Sequence, residues 1–258
     1  MRLRFLGTGT SFGVPVVGCR CEVCRSDDPR DARTRHGLLI EREGRRLLVD
    51  TPPELRLQLL EAGVRHLDDV WMTHPHADHV HGIDDLRIFT LRSERPLRMH
   101  VAEEHVGELR RRFRYIFEKD TDVPPDSAVP DLELAPFRDR RPVEAAGMEL
   151  TPVGLPHGTF RSFGFRAGGL AVLVDAKRVP EDARELLQGV DVLVINALWM
   201  GNPHPAHFNV EEAVEAARRL GARRTFLTHL THRVRHRDLA ERLPDGVRPA
   251  HDGLEVEV

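Results

Sequence analysis

Thr73-His74-Pro75-His76-Ala77-Asp78-His79 places three imidazoles and a carboxylate within six positions, directly after the apolar run Asp69–Met72. Inside a helix or a strand, so dense a set of polar rings would forfeit packing. On a loop leaving a strand end, the same residues can wrap one or two divalent ions. A metal loop at a strand terminus draws its remaining ligands from other strand ends.

Three candidates sit at such ends. His157 follows the run Leu150–Leu155, Asp175 ends Leu170–Val174, and His229 ends Thr225–Thr228. Strands laid side by side with one polarity would bring their C-terminal ends to a single edge, with these three side chains converging on the histidine loop. Further strand-like runs are Arg2–Leu6, Gly37–Glu41, Arg46–Val49, Arg98–Val101, Met148–Val153, Val190–Ile195, Arg224–Leu227 and Leu254–Val258. Helix-period segments lie between them at Pro53–Ala62, Glu103–Ile116, Glu181–Leu187, Val210–Leu220 and His236–Leu243. A layered α/β domain follows, and with no repeat or low-complexity segment the expectation is one domain over 1–258. Lys119–Pro142, rich in Pro and Asp, reads as a long surface excursion between the two halves of the sheet system.

Composition narrows the function classes. The 258 residues include 38 Lys plus Arg against 41 Asp plus Glu, a net charge of −3 that gives no general pull toward nucleic acid or anionic membrane. No apolar run approaches the roughly 20 residues that span a bilayer. The Met-Arg-Leu-Arg-Phe-Leu start is too short for a signal peptide, so a cytoplasmic protein without membrane contact is expected. The three cysteines, Cys19, Cys21 and Cys24, make no closed disulfide framework in a reducing compartment and read as metal-binding thiolates, one short of a tetrahedral zinc site. Gly7-Thr8-Gly9 lacks the third glycine and acidic partner of a dinucleotide fingerprint and reads as a tight turn. The basic stretch Leu109–Arg114 keeps the helical spacing of Leu109, Phe113 and Ile116 and reads as a solvated helix face. His36, His66, His81, His100, His105, His236 and His251 default to surface or packing roles.

Gly7-Thr8-Gly9-Thr10 with Gly13-Val14-Pro15, the cysteine cluster, Val49-Asp50-Thr51, the histidine loop, Leu155-Pro156-His157, Val174-Asp175, His207-Phe208-Asn209 and Leu227-Thr228-His229-Leu230-Thr231-His232 together resemble the metallo-β-lactamase-fold hydrolases, nearest the PhnP-type phosphoribosyl cyclic phosphodiesterase branch. The resemblance runs nearly end to end. It implies a four-layer αββα sandwich with two metal ions, manganese or zinc, at one edge. By that resemblance His74, His76 and His157 hold one metal, Asp78, His79 and His229 the other, and Asp175 bridges them. Asp50 supports the metal loop through hydrogen bonds, Asp78 also helps position the attacking group, and His232 completes a structural zinc with the cysteines. His207 is the implied acid above the metals, with His204 as its rival. The implied substrate is a small, cyclic phosphodiester and the implied assembly a homodimer. Ala176-Lys177-Arg178 stands where phosphonate-pathway members carry small polar residues. Two other functions share the fold: a nuclease like ribonuclease Z, whose transfer-RNA-gripping Gly/Pro-rich arm has no counterpart in the sequence, and a non-hydrolytic metal-dependent binding or carrier protein.

Overall fold

Alternating apolar residues that are buried on both sides make sheets with no wet face, and this chain builds two of them. The structure is a computed structural model that describes residues 1–93, 95–118 and 128–258. Its strands are β1 (Arg2–Gly7), β2 (Gly37–Arg42), β3 (Arg45–Val49), β4 (Asp69–Trp71), β5 (Leu97–Ala102), β6 (Leu132–Phe137), β7 (Val143–Ala145), β8 (Met148–His157), β9 (Phe160–Ala167), β10 (Leu170–Leu173), β11 (Val192–Asn196), β12 (Arg224–Thr228), β13 (Val247–Pro249) and β14 (Glu255–Glu257). They form two seven-stranded sheets, ordered β14-β1-β2-β3-β4-β5-β6 and β13-β12-β11-β10-β9-β8-β7.

One set of alternate side chains faces the other sheet. Phe5, Ile40, Leu47, Val49 and Trp71 from the first sheet share a cluster with Leu150, Phe163, Phe165, Val172, Val194 and Phe226 from the second. The intervening residues face outward under helices. Leu39, Leu48 and Val70 pack with Leu55, Leu59 and Leu109, while Leu173, Leu193 and Leu227 pack with Ala213, Ala217 and Leu239. Helix, sheet, sheet, helix is the four-layer α/β sandwich expected. The Trp71 indole N–H, donated to Phe163 O at 2.9 Å, ties the sheets together beside the histidine loop.

Polarity then places the site. β10, β11 and β12 run parallel, and β8 and β10 both pair antiparallel with β9, so β8, β10 and β12 all end at one edge. In the first sheet β3 and β4 are also parallel, and their C-terminal ends lead into Asp50 and the histidine loop. The helix Val210–Leu220 starts at an Asn209–Glu212 capping box and stops at Gly221, φ 64°.

The excursion expected over Lys119–Pro142 is partly corrected. Residues 119–127 lie outside the described residues, but Leu132–Phe137 is an edge strand parallel to β5, and its Pro136 is tolerated because an edge needs no donor on its outer side. Three further strands, β7, β9 and β13, lie outside the runs expected from sequence. β9 closes a hairpin on β8 through Gly158, and the sequence Phe160-Arg-Ser-Phe-Gly-Phe interrupts its apolar pattern with a glycine that Val172 O requires, since a Cβ there would sit 2.1 Å from that oxygen.

Candidate metal centre

Three of the residues at strand ends break their strands in the same way, whereas His157 is still the last residue of β8. Asp50, Asp175 and His229 have φ of 64°, 54° and 58°, a region that costs a non-glycine residue about 1–3 kcal/mol. The turn swings each side chain over the sheet edge, where extended backbone would have sent it into the core or the helix layer.

There the side chains converge. His74 Nε2 is 2.9 Å from His76 Nδ1, and His157 Nε2 is 3.2 Å from that same nitrogen. Asp175 Oδ2 lies 3.4 Å from His74 Nε2, 3.6 Å from His157 Nε2, 3.3 Å from His79 Nε2 and 3.6 Å from His207 Nε2, while its Oδ1 is 3.1 Å from His229 Nε2. Asp78 Oδ2 lies 3.5 Å from His79 Nε2 and 3.8 Å from His229 Nε2. The ligand atoms of His74, His76, His157 and Asp175 fall within 4.8 Å of one another, as do those of Asp78, His79 and His229. Asp175 belongs to the first group and forms a further one with His207 and His229, and its oxygens lie 3.3 Å from His79 Nε2 and 3.1 Å from His229 Nε2, so it stands between the two sets.

The chemistry of the set fits divalent cations. His79 Nε2, Asp175 Oδ1 and both nitrogens of His229 are buried and make no hydrogen bond among the described residues, which is costly unless something else takes their lone pairs. Burial opposes charge on His79, yet Asp175, Asp50 and Asp78 outweigh it and hold the imidazole well above the usual histidine range. Burial would likewise raise Asp175, but His229 and His79 pull it well below the carboxylate range. Burial pushes His157 down to about 4, and His74 also falls well below the ordinary value. One half of the cluster thus demands positive charge, and the other offers neutral imidazole lone pairs.

The supporting hydrogen bonds orient these donors. Buried Asp50 accepts from His79 Nδ1 at 2.6 Å, from Thr73 N at 2.8 Å and from the Thr73 hydroxyl at 2.9 and 3.0 Å. His74 Nδ1 lies 3.0 Å from that hydroxyl, and His157 Nδ1 donates to Ala206 O at 3.1 Å. In each case the nitrogen facing away from the support is the one aimed at the cluster. Thr73 and the Ala206 carbonyl went unread. Thr73 has one sequence signal, its place between strand and loop, and the carbonyl has none.

The second site is made by Cys19, Cys21, Cys24 and His232. His232 Nδ1 is 3.3 Å from Cys19 Sγ and 3.5 Å from Cys21 Sγ and Cys24 Sγ. A tetrahedral zinc with Zn–S of about 2.3 Å and Zn–N of about 2.05 Å needs N···S of about 3.6 Å. The Cys24 amide lowers the Cys21 thiol to about 6 whereas burial pushes Cys24 up to about 11, so the full set ionises together only with a cation to hold it. Buried Arg33, paired with Asp31 at 3.2 Å, donates to Thr231 O at 2.8 Å and Val234 O at 3.0 Å and fixes the segment that carries His232.

The Gly7–Thr10 turn locks the two sites together. Gly7 approaches Arg35 O so closely that a Cβ would lie 2.0 Å from it, and Leu230 N donates to Thr8 O at 2.9 Å. Asp252, also unread, accepts from the amides and hydroxyls of Thr8 and Thr34 at 2.7–2.8 Å. Of the histidines given default roles, His36 is buried with its ring 5.7 Å from that of His79, and His100 pairs with Asp69 at 3.0 Å.

His207 and His204 also fall into place. His207 Nε2 faces Asp175, its ring stacks at 15° on His229 with centroids 5.2 Å apart, and its Nδ1 is 3.1 Å from His204 Nδ1. His204 stands behind it.

Known proteins carry the same architecture. The model of the Beta-lactamase superfamily domain matches residues 45–230. A solved structure described as a new diphosphatase from the PhnP family superposes with a TM-score of 0.90 at 34% identity, covering 100% of this chain and 97% of that one. A Porphyromonas gingivalis protein named octanoyltransferase is 38% identical over 99% of this chain, which spans 51% of that relative's length. Coenzyme PQQ synthesis protein B of Methylobacterium nodulans is 30% identical over 76% of this chain and 72% of its own. With a sandwich of this kind, a paired His/Asp cluster at its edge and a PhnP-family neighbour matched from end to end, the chain belongs to the beta-lactamase superfamily, as a PhnP-like protein of the metallo-β-lactamase fold.

Proposed function

We propose that this chain is a cytoplasmic metal-dependent hydrolase of small phosphodiesters, cyclic ones foremost, using two divalent ions, manganese or zinc, held by His74, His76, His157, Asp78, His79, His229 and the shared Asp175. A third ion, zinc, is held by Cys19, Cys21, Cys24 and His232 and serves the fold. The observation that carries the reading is Asp175, whose two oxygens stand 3.1–3.6 Å from five imidazole nitrogens. Two cations bound there supply a water activated near neutral pH and charge neutralisation for a phosphoryl group. Asp78, partly exposed at the cluster and 3.5 Å from His79 Nε2, would also help position the attacking group. His207 holds a proton on Nε2 and passes it to the departing alkoxide, a leaving group of high pKa that needs one.

The test is paired. His207→Ala lowers kcat on a cyclic ribose phosphate by about 10²–10⁴-fold while largely sparing a nitrophenyl diester, whose leaving group needs no proton. Equal losses on both, with metals retained, refute the acid role. A screen of the metal-loaded protein on cyclic phosphate, linear diester, RNA and thioester then fixes the class. Cleavage of RNA first would make it a nuclease, and thioester turnover would align it with the acyl chemistry in the name of its Porphyromonas gingivalis relative. A second reading, a non-hydrolytic protein of cofactor synthesis, is favoured by the identity to the Methylobacterium nodulans protein and predicts no turnover in any arm.

A further inference from the structure

The loop between Trp199 and Phe208 is closed at its base by Val210 N donating to Trp199 O at 2.9 Å and Leu198 N donating to Phe208 O at 3.1 Å. Inside it the backbone N–H of Ala206 points at His204 Nδ1 at 3.1 Å. An amide can only donate. His204 Nδ1 is therefore a lone pair, and the proton of the neutral ring sits on Nε2. His207 Nδ1 lies 3.1 Å from that same acceptor nitrogen. Two lone pairs at that distance repel, so His207 Nδ1 carries hydrogen.

We propose that His204 is a positioning residue for His207, its Nδ1 lone pair shared between the Ala206 N–H and the His207 Nδ1–H and so holding the His207 ring with Nε2 toward Asp175. The inference rests on the reading of His207 as the proton donor. The surroundings keep His204 in the accepting form: burial first, then the nearby His207, Lys177 and His229, lower its tendency to protonate. Lys177 is itself held by Glu212, at 2.6 and 2.8 Å. Trp199 braces the outer side, its ring edge-on to His204 with centroids 5.6 Å apart and its indole N–H fixed on Asn202 O at 2.7 Å. His204 is not placed to be the acid. Among the described residues the imidazoles within 4.0 Å of an Asp175 oxygen are His74, His79, His157, His207 and His229. The Ala206 backbone also joins the pair to the metal cluster, since its carbonyl accepts from His157 Nδ1.

The experiment reads the proton directly. In zinc-loaded protein labelled with ¹⁵N-histidine, two-bond ¹H–¹⁵N correlations assign the neutral His207 tautomer, the His207 signals being identified by their absence from His207→Ala. The expected result is Nδ1–H in the wild type, and a mixture or Nε2–H in His204→Ala. On the cyclic ribose phosphate, kcat of His204→Ala falls about ten- to a hundredfold with KM unchanged, and the nitrophenyl diester loses less than about threefold. His204→Asn, whose Oδ1 falls where Nδ1 was, recovers most of that loss and the Nδ1–H tautomer. An Nε2–H tautomer in the wild type overturns the proposal, as does equal loss on both substrates. Should His204→Ala fail to fold, the wild-type tautomer and the Asn variant still decide. If His207→Ala shows no leaving-group dependence, the acid reading fails while the tautomer measurement still reports the hydrogen bond.

Discussion

Asp50→Asn is a one-atom change at the most connected support of the histidine loop. In the native protein Oδ1 accepts from Thr73 N at 2.8 Å and Oδ2 accepts from His79 Nδ1 at 2.6 Å. An asparagine has one oxygen for these two donors. If the oxygen stays with Thr73 N, the new NH₂ opposes the His79 Nδ1–H. With a metal bound, when His79 carries one proton, the conflict is relieved by moving that proton to Nε2, the atom 3.3 Å from Asp175 and 3.5 Å from Asp78. That occupies the lone pair a metal needs. Losing one buried hydrogen bond to a charged group costs about 1.5–3 kcal/mol. At about 2–4 °C per kcal/mol for a domain of this size, Tm of the metal-free variant drops by about 3–12 °C. Loss of such a supporting carboxylate weakens the metal by about 10–100-fold. Differential scanning calorimetry on chelator-treated protein measures the first quantity, and competition titration with a chromophoric chelator the second. The cysteine site, which Asp50 does not touch, should keep its zinc and serves as the internal control. Unchanged affinity at the histidine cluster, with His79 still Nδ1-protonated by NMR, would refute the reasoning.

Elemental analysis should find three metal ions per chain, and one or none in protein with intact ligands would sink the assignment of sites. Cys21→Ser should remove the single zinc and lower thermal stability before it affects chemistry, because a structural zinc contributes folding free energy directly; unchanged zinc content and Tm would count against it. Asp252→Ala leaves the amides of buried Thr8 and half-buried Thr34 without their acceptor, and at about 1–3 kcal/mol each the loss of stability by denaturant unfolding should be about 2–6 kcal/mol, with a loss under about 1 kcal/mol contradicting the role given to it.

The histidine loop was legible because its ligands are neighbours in sequence: His74, His76, Asp78 and His79 need only a strand before them and a turn beneath them. The cysteine cluster was legible for the same reason, as were the two-sided apolar strands that demand helices on both flanks. His157, Asp175 and His229 were readable as strand ends, but their convergence needed the polarity of β8, β10 and β12, which is a property of pairing and not of any local stretch. The strands at Leu132–Phe137, Phe160–Ala167 and Val247–Pro249 escaped because proline, glycine and short length hide their alternation, and neighbouring strands supply what their own propensity lacks. Least legible were the supports. That Asp252 grips Thr8 and Thr34, that Arg33 pins the segment bearing His232, and that Ala206 offers its N–H to His204 and its carbonyl to His157 are contacts between distant residues or backbone atoms. Side-chain identity along a chain names the donors and acceptors available, whereas the direction of each hydrogen bond, and so the nitrogen of each imidazole left free for chemistry, is set only when the folded backbone brings the partners within reach.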